Sequence, residues 1–302
     1  METTREAGKE YDGNTFHRSV MCGEVVEFLD PSKGGVYVDA TAGGGGHTKG
    51  LLDAGATRVI ALDMDGEALA YIGHNLACFA ERLSLHFNNF RDLDEVLSDQ
   101  GVKEVDGAVF DLGLSWHQVR SPDRGFSYQG EGPLDMRFDS ESNARTALEI
   151  IRSEPAPKIA RILSEYGEER RAHPIAREIA ANRSKIKTTA DLAELLRRIA
   201  GPKGFRKTAM RVFQALRIAV NDELDNLKQG LEAACAHLKP KGRLAVLSYH
   251  SLEDRIVKRK FAAKEESGSF SRVTRKPLRA TGDEIKRNPA ARSAKLRVLE
   301  RA

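Results

Sequence analysis

A chain of 302 residues, 40% hydrophobic and 30% charged, is too apolar for an intrinsically disordered polypeptide, and no apolar run approaches the ~20 residues that a bilayer span requires. Its length exceeds the ~100–200 residues of an ordinary domain, which predicts one large α/β domain or a domain carrying an insertion. The net charge is only +4, but from Arg255 to Ala302 there are 15 lysines and arginines against 5 acids, a basic segment suited to a polyanion such as nucleic acid.

The start, METTREAGKEYDGNTF, has no apolar stretch behind a basic head, so the expected location is the cytoplasm. VYVDA (36–40) then reads as a short strand, followed by the glycine loop TAGGGGH and a helix from about Thr48 to Ala54. RVIALD (58–63) is a second strand. Leu69, Ile72, Leu76 and Phe79 recur at spacings of three and four, which predicts a helix over 66–80. LSLHF (83–87) and VDGAVFDLG (105–113) are the third and fourth strands, and three of the four end in Asp at the edge where open parallel sheets bind ligands. A loop rich in Ser, Gly, Pro and Asp follows, and from about Asn143 to Ile199 the pattern is helical, with Thr189 read as a helix cap. A long helix over about 208–238, a fifth strand at 243–249, a short basic helix SLEDRIVKRKF, a polar connection over 264–292 and a last strand at 294–300 complete the reading. Cys22, Cys78 and Cys235 are odd in number and lack CxxC spacing, so buried thiols are expected in place of disulfides or a zinc site; no metal site is predicted.

The strongest local signal is Asp39-Ala-Thr-Ala-Gly43-Gly44-Gly45-Gly46-His47 between a strand and a helix, where glycines let the backbone approach a ligand closely. Neither GxGxxG nor the Walker A pattern fits, because Thr48 stands at the third-glycine position and no GK[ST] ends the loop. That points away from phosphates and towards an adenosine ligand without them. Asp63, 16 residues beyond His47, stands where a carboxylate accepts the hydroxyl protons of an adenosine ribose, and loop plus acid suit S-adenosylmethionine. His47 reads as a positioning residue more than a base. Asp111 ends the fourth strand where a methyl donor and acceptor would meet. Trp116 and Phe126 flank the following loop as candidates for stacking on a base, with core packing the alternative for each. His250 follows the fifth strand, and Ser251 to Asp254 suffice as a helix start without a hydrolase triad.

DATAGGGGHT, FDLGLS, RGFSY, GPLDMRFD, YGEER, RVFQALRIAVNDEL and SYHSLEDRIVKR, framed by FHRSVM and RSAKLRVLER, together resemble the RsmH (MraW) family of small-subunit ribosomal RNA cytosine-N4 methyltransferases over nearly the whole chain. The resemblance implies a class I, Rossmann-like methyltransferase with a mainly parallel sheet (1–134 and 213–302) and an inserted all-helical domain (135–212). It implies bound S-adenosylmethionine and, as substrate, a cytidine in the decoding region of 16S rRNA within the small ribosomal subunit; a homodimer is left open. The family's cofactor contacts fall on Gly45, Gly46, His47, Asp63, Phe90, Asp111 and Gln118. Ser19 stands where the family usually has Pro, and Trp116-His117 where it usually has Ser-Pro.

An exocyclic amine is a poor nucleophile and must be held in line with the methyl group while an acceptor takes a hydrogen bond from its N–H. Asp111 and His250 are the candidate catalytic residues. Methylation at cytosine C5 would need a thiolate in a strand-end loop, and the three cysteines fall in helical patterns. A DNA amine methyltransferase is the first rival, lacking its usual [DNS]PP[YFW] tetrad at DLGL; a non-enzymatic ribosomal RNA-binding assembly factor and a nicotinamide dehydrogenase are the others.

Overall fold

The structure is a computed structural model that describes residues 19–115, 118–119, 121–141 and 144–302. Trp116, His117 and the first three residues of FHRSVM lie outside them. Seven strands form one sheet in the order β3-β2-β1-β4-β5-β7-β6. Their ranges are β1 Val36–Asp39, β2 Arg58–Asp63, β3 Leu83–Phe87, β4 Val105–Asp111, β5 Leu238–Ser248, β6 Phe270–Arg272 and β7 Lys295–Arg301. β1 to β5 pair in parallel, and β7 lies antiparallel between β5 and β6. The Rossmann-like, mainly parallel α/β sheet expected from the sequence is therefore present.

The strands read as nearly continuous apolar runs because both faces of the sheet are covered. Val38, Ile60, Phe110, Leu244 and Val246 point into one core, under Leu227, Leu231, Val257 and Phe261. Their alternating neighbours Tyr37, Val59, Val109, Ala245 and Leu247 pack on Val25, Leu29, Leu51 and Leu52 on the other face. The covering helices are α1 (Cys22–Leu29) and α2 (Gly46–Asp53) on the second face. On the first they are α9 (Glu223–His237) and α10 (Ser251–Glu266). α3 (Gly66–Asn75) and α4 (Leu93–Asp99) fill the crossovers of the parallel strands.

A separate apolar core gathers residues between Phe126 and Val220, among them Leu134, Ile150, Ile159, Ile175, Leu196 and Phe213. It is built by α5 (Ala147–Ser153), α6 (Ala156–Glu165), α7 (Ala172–Ala181) and α8 (Thr189–Asn221), the last kinked where Gly201 leaves the helical conformation (φ 69°). Several sequence boundaries shift. The cap of α8 is Thr188, whose hydroxyl accepts from the backbone N–H of Asp191, while Thr189 is the first helical residue and is buried. The helix expected over 208–238 is broken in two, because Asp222 takes the left-handed conformation (φ 49°) that ends α8 before α9 begins. β5 starts at Leu238, five residues early, and β6, with Ser and Arg in two of its three positions, has no apolar pattern by which to read it. Cys235 is buried as expected, whereas Cys78 is exposed. Among the described residues no helix is long and apolar enough to cross a membrane.

Candidate cofactor and substrate cleft

An open cleft lies along the carboxyl ends of β1, β2 and β4, the edge where parallel sheets of this kind bind ligands. Thr41 and Gly43 line it from the loop after β1, and Asp63, Met64 and Asp65 from the end of β2. Asn88 and Phe90 follow β3; Asp111 to Gly113, Ser115 and Gln118 follow β4; Phe138, Glu223, Leu227 and Glu253 close the far side. Five carboxylates thus face the cleft, and among its described lining residues there is no lysine, arginine or histidine. Arg124, His47 and Arg217 stand behind Asp65, Asp111 and Glu223, so the wall turns acceptors and no cation towards a ligand, which suits a cationic group better than a phosphate.

Of the residues expected to touch a cofactor, Asp63, Phe90, Asp111 and Gln118 line the cleft and Gly45, Gly46 and His47 do not. Gly43 represents the loop there, and its N–H donates to Asp63 Oδ2 at 2.7 Å. Gly45 (φ 77°) caps α2, and a Cβ on it would stand 3.0 Å from Ile72 Cγ1; a Cβ on Gly46 would stand 2.0 Å from Ser19 Oγ. These two glycines admit the protein's own neighbours, which is a different use from approach to a ligand. Asp63 Oδ1 accepts from the N–H of Asp65 at 2.9 Å. Burial still pushes the Asp63 carboxyl up to about 6, against the lowering effect of these two backbone bonds. Phe90 packs at 5.4 Å, ring to ring, on Phe110 of the sheet core.

Gln118 is tied to the protein. Its backbone N–H donates to Ser115 Oγ and its Oε1 accepts from the N–H of Ser115, both at 3.1 Å, while its Nε2 donates to Asp65 Oδ2 at 3.3 Å. Arg124 donates to the same Asp65 oxygen at 3.2 Å, so Asp65, the cap of α3, anchors the loop after β4. Phe126 belongs to the helical core, stacked on Phe138 at 5.7 Å; of its two readings, core packing holds.

Asp111 is clamped from three sides. Its Oδ1 accepts from the Tyr249 hydroxyl at 2.7 Å and the N–H of Gly113 at 3.2 Å, and its Oδ2 lies 3.3 Å from His47 Nε2. Burial alone would discharge His47, but the hydrogen bond and charge of Asp111, with Cys22 beside the ring, push it up to about 10. Hence His47 is an imidazolium at neutral pH, buried behind the cleft, and the pair is an anchor for the Asp111 carboxylate. Burial, and then the Asp111 charge, raise the Tyr249 phenol well above its ordinary value, so it stays a hydrogen-bond donor. Tyr249 itself carried no signal in the sequence beyond its place at a strand end.

His250 does not line the cleft but caps α10, its Nδ1 accepting from the N–H of Glu253 at 3.4 Å. Glu253 reaches back, its Oε2 accepting from the N–H groups of Tyr249 at 2.7 Å and His250 at 3.2 Å. Ligand atoms of Glu223, His250 and Glu253 lie within 4.8 Å of one another, yet Glu223 already holds Arg217 through both oxygens at 2.7 and 2.8 Å. That guanidinium supplies the positive charge a cation would bring.

The basic segment divides once its partners are visible. Lys260 and Lys264 pair with Glu232, Arg255 with Glu168, Arg272 with Glu265, and Lys295 and Arg297 with Asp254. Lys258, Arg259, Arg275, Lys276 and Arg279 are exposed and form no ion pair among the described residues.

Residues 14–302 match the MraW methylase family. Relatives named ribosomal RNA small subunit methyltransferase H include one from Kosmotoga olearia, 45% identical over 95% of this chain and 98% of its own length. Another, from Sorangium cellulosum, is 46% identical over 94% of this chain and 90% of its own. Among solved structures, an rRNA methylase from Streptococcus thermophilus superimposes with a TM-score of 0.44 at 13% identity, covering 92% of this chain and 94% of that one. A protein of Streptococcus mutans solved with SAH gives 0.47 at 14% identity, covering 94% and 99%. With its family match spanning almost the full length and its relatives near 45% identity, the chain belongs to the MraW methylase family, a family of S-adenosylmethionine-dependent methyltransferases.

Proposed function

We propose that this protein transfers a methyl group from S-adenosylmethionine to the exocyclic N4 amine of a cytidine in the decoding region of 16S rRNA. The observation that carries the reading is the acidic cleft: five carboxylates at the sheet edge, and no basic side chain among the described lining residues, suit a sulfonium cofactor and disfavour a dinucleotide or nucleoside triphosphate. The relatives' name, ribosomal RNA small subunit methyltransferase H, supports rRNA as the acceptor.

Asp63 is assigned to the ribose hydroxyls and Phe90 to the adenine face. Gly45, Gly46 and His47 shape the cleft from behind through Ile72, Ser19 and Asp111, and Gln118 lines it while its amide holds Asp65. The cofactor supplies an electrophilic methyl group on a positively charged sulfur. Asp111, held by Tyr249, Gly113 and His47, presents a fixed carboxylate to which the amine N–H donates as the nitrogen gains tetrahedral character. His47 already carries its proton, and Asp111 leans on two strong donors, so neither acts as a strong base; the amine's proton leaves to solvent after the methyl has arrived. His250 acts through Glu253 and the start of α10.

Incubating the protein and S-adenosylmethionine with small-subunit particles from cells lacking it, then mapping the rRNA nucleosides by mass spectrometry, tests the reading. N4-methylcytidine at a single position is expected; methyl groups on carbon, or none, would end it.

A further inference from the structure

Glu253 is more deeply buried than a capping residue needs to be. Its side chain is 4% exposed, and both backbone N–H groups it caps use the same oxygen, Oε2. Oε1 accepts no hydrogen bond among the described residues: His250 Nε2 stands 2.9 Å away without hydrogen-bond alignment. The carboxylate lines the cleft. Its neighbour Glu223 is neutralised by Arg217, so Glu253 is the acid on this wall with an acceptor to spare. Tyr249 ties it to the centre of the site, donating from its hydroxyl to Asp111 and from its backbone to Glu253. Oε1 opens onto the cleft beside His250 Nε2, a buried nitrogen that itself lacks a hydrogen-bond partner, and a polar pair left incomplete at a cleft wall is one that a ligand can complete.

We propose that Glu253 selects the target base, its Oε1 accepting a hydrogen bond from the exocyclic amine of the nucleotide to be methylated. The inference rests on the amine-methylation reading above and adds to it a second acceptor, so that one amine hydrogen faces Asp111 and the other Glu253, and an amine is told from a carbonyl. Carboxylates accept from cytosine N4 in nucleic-acid recognition. A uracil in the same place would turn the lone pairs of its O4 towards Oε1, and like partial charges in a dry cleft repel. The same arrangement rejects phosphate, so the backbone of the RNA must lie outside this wall.

The test uses the full-length protein and small-subunit particles carrying either the target cytidine or uridine in its place. Glu253→Gln keeps an oxygen for the cap and removes the charge, and thermal melting checks that α10 remains folded. Wild-type protein is expected to bind the cytidine particle at least about tenfold more tightly than the uridine particle. The variant should lose most of that preference and about ten- to a hundred-fold of kcat/KM, with cofactor affinity within twofold of wild type. A preference retained by the variant, or absent from the wild type while N4-methylcytidine is still formed, overturns the inference and leaves the function standing. Weaker binding of S-adenosylmethionine with normal turnover at saturation gives Glu253 to the cofactor and overturns it as well. If the wild-type product contains no N4-methylcytidine, the function falls, and the inference with it.

Discussion

Replacing Asp63 with Asn should make the cofactor-free protein gain stability relative to wild type as pH rises, and make the cofactor bind less well. Burial raises the Asp63 carboxyl from 3.8 to about 6. Because the folded value lies above the unfolded one, folding takes up a proton between these two pH values. Stability is therefore unaffected below pH 4, falls as pH rises towards 6, and stays lower above it. A difference of about 2 pH units corresponds to about 3 kcal/mol. The carboxylate opens onto the cleft, where solvent lowers the cost, so about 1–3 kcal/mol is the expected range. Asn carries no charge and escapes this loss, but its Nδ2 cannot accept from Gly43 or Asp65, so it gives up one backbone hydrogen bond at every pH. Urea denaturation of the two proteins should show the variant's stability relative to wild type rising by that range between pH 4 and pH 8. Calorimetry should meanwhile show affinity for S-adenosylmethionine lower by about ten- to a hundred-fold, the value of a charged hydrogen bond to a hydroxyl. A stability difference that does not change between pH 4 and pH 8 would refute the burial argument, and unchanged affinity would remove Asp63 from the site.

Three further outcomes are expected. His47→Gln should destabilise the fold most below pH 6.5 and least above pH 10, because a histidine raised from 6.5 to about 10 contributes stability that is complete below 6.5 and lost as pH climbs through 10; denaturation midpoints across that range check the sign. Tyr249→Phe should slow single-turnover methyl transfer by about tenfold while leaving the overall stability within about 1–2 kcal/mol, since it removes one donor from Asp111; an unchanged rate would show that Asp111 needs no such anchor. Lys258→Ala with Arg259→Ala should flatten the dependence of log K for RNA on log salt by about 0.7–0.9 for each phosphate no longer neutralised. Lys260→Ala should do little to that slope, because its ammonium is already held by Glu232.

The parts of the fold legible in the sequence were those with a strong local period. β1, β2 and β4 stand where the apolar runs put them, because parallel strands covered on both faces admit few polar positions, and the edge strand β3 follows an alternating pattern instead. What escaped was set by distance. Asp222 breaks the helical run at 222 through a backbone conformation that leaves no mark on the hydrophobic pattern. β6 is a strand because β7 pairs with it, not because FSR is apolar. The charge count after Arg255 was correct, yet it treated Lys260 and Lys258 alike, and only the facing Glu232 separates them. Glu253 looked like a residue in the first turn of a basic helix. Its second role depends on a cleft assembled from segments more than a hundred residues apart.

The three strand-end aspartates show how one sequence sign resolves into three kinds of chemistry. Register decides the first division: Asp39 lies level with Ala61 of β2 and Val109 of β4, so Asp63 and Asp111 each extend two residues further towards the cleft. Asp39 stays inside, fully buried, with Thr48 donating to one oxygen and the N–H of Thr41 to the other, and it fastens α2 to β1. Asp63 emerges beside backbone donors alone, which leaves it poorly compensated and suited to a ligand that brings hydroxyl donors. Asp111 emerges between a cationic ring and a phenol, so its charge and its orientation are both set before any substrate arrives. A strand-end acid is thus a statement about position. Whether it clamps the fold, waits for a ligand or steers a reaction is written by the two or three donors around it, and those come from elsewhere in the chain.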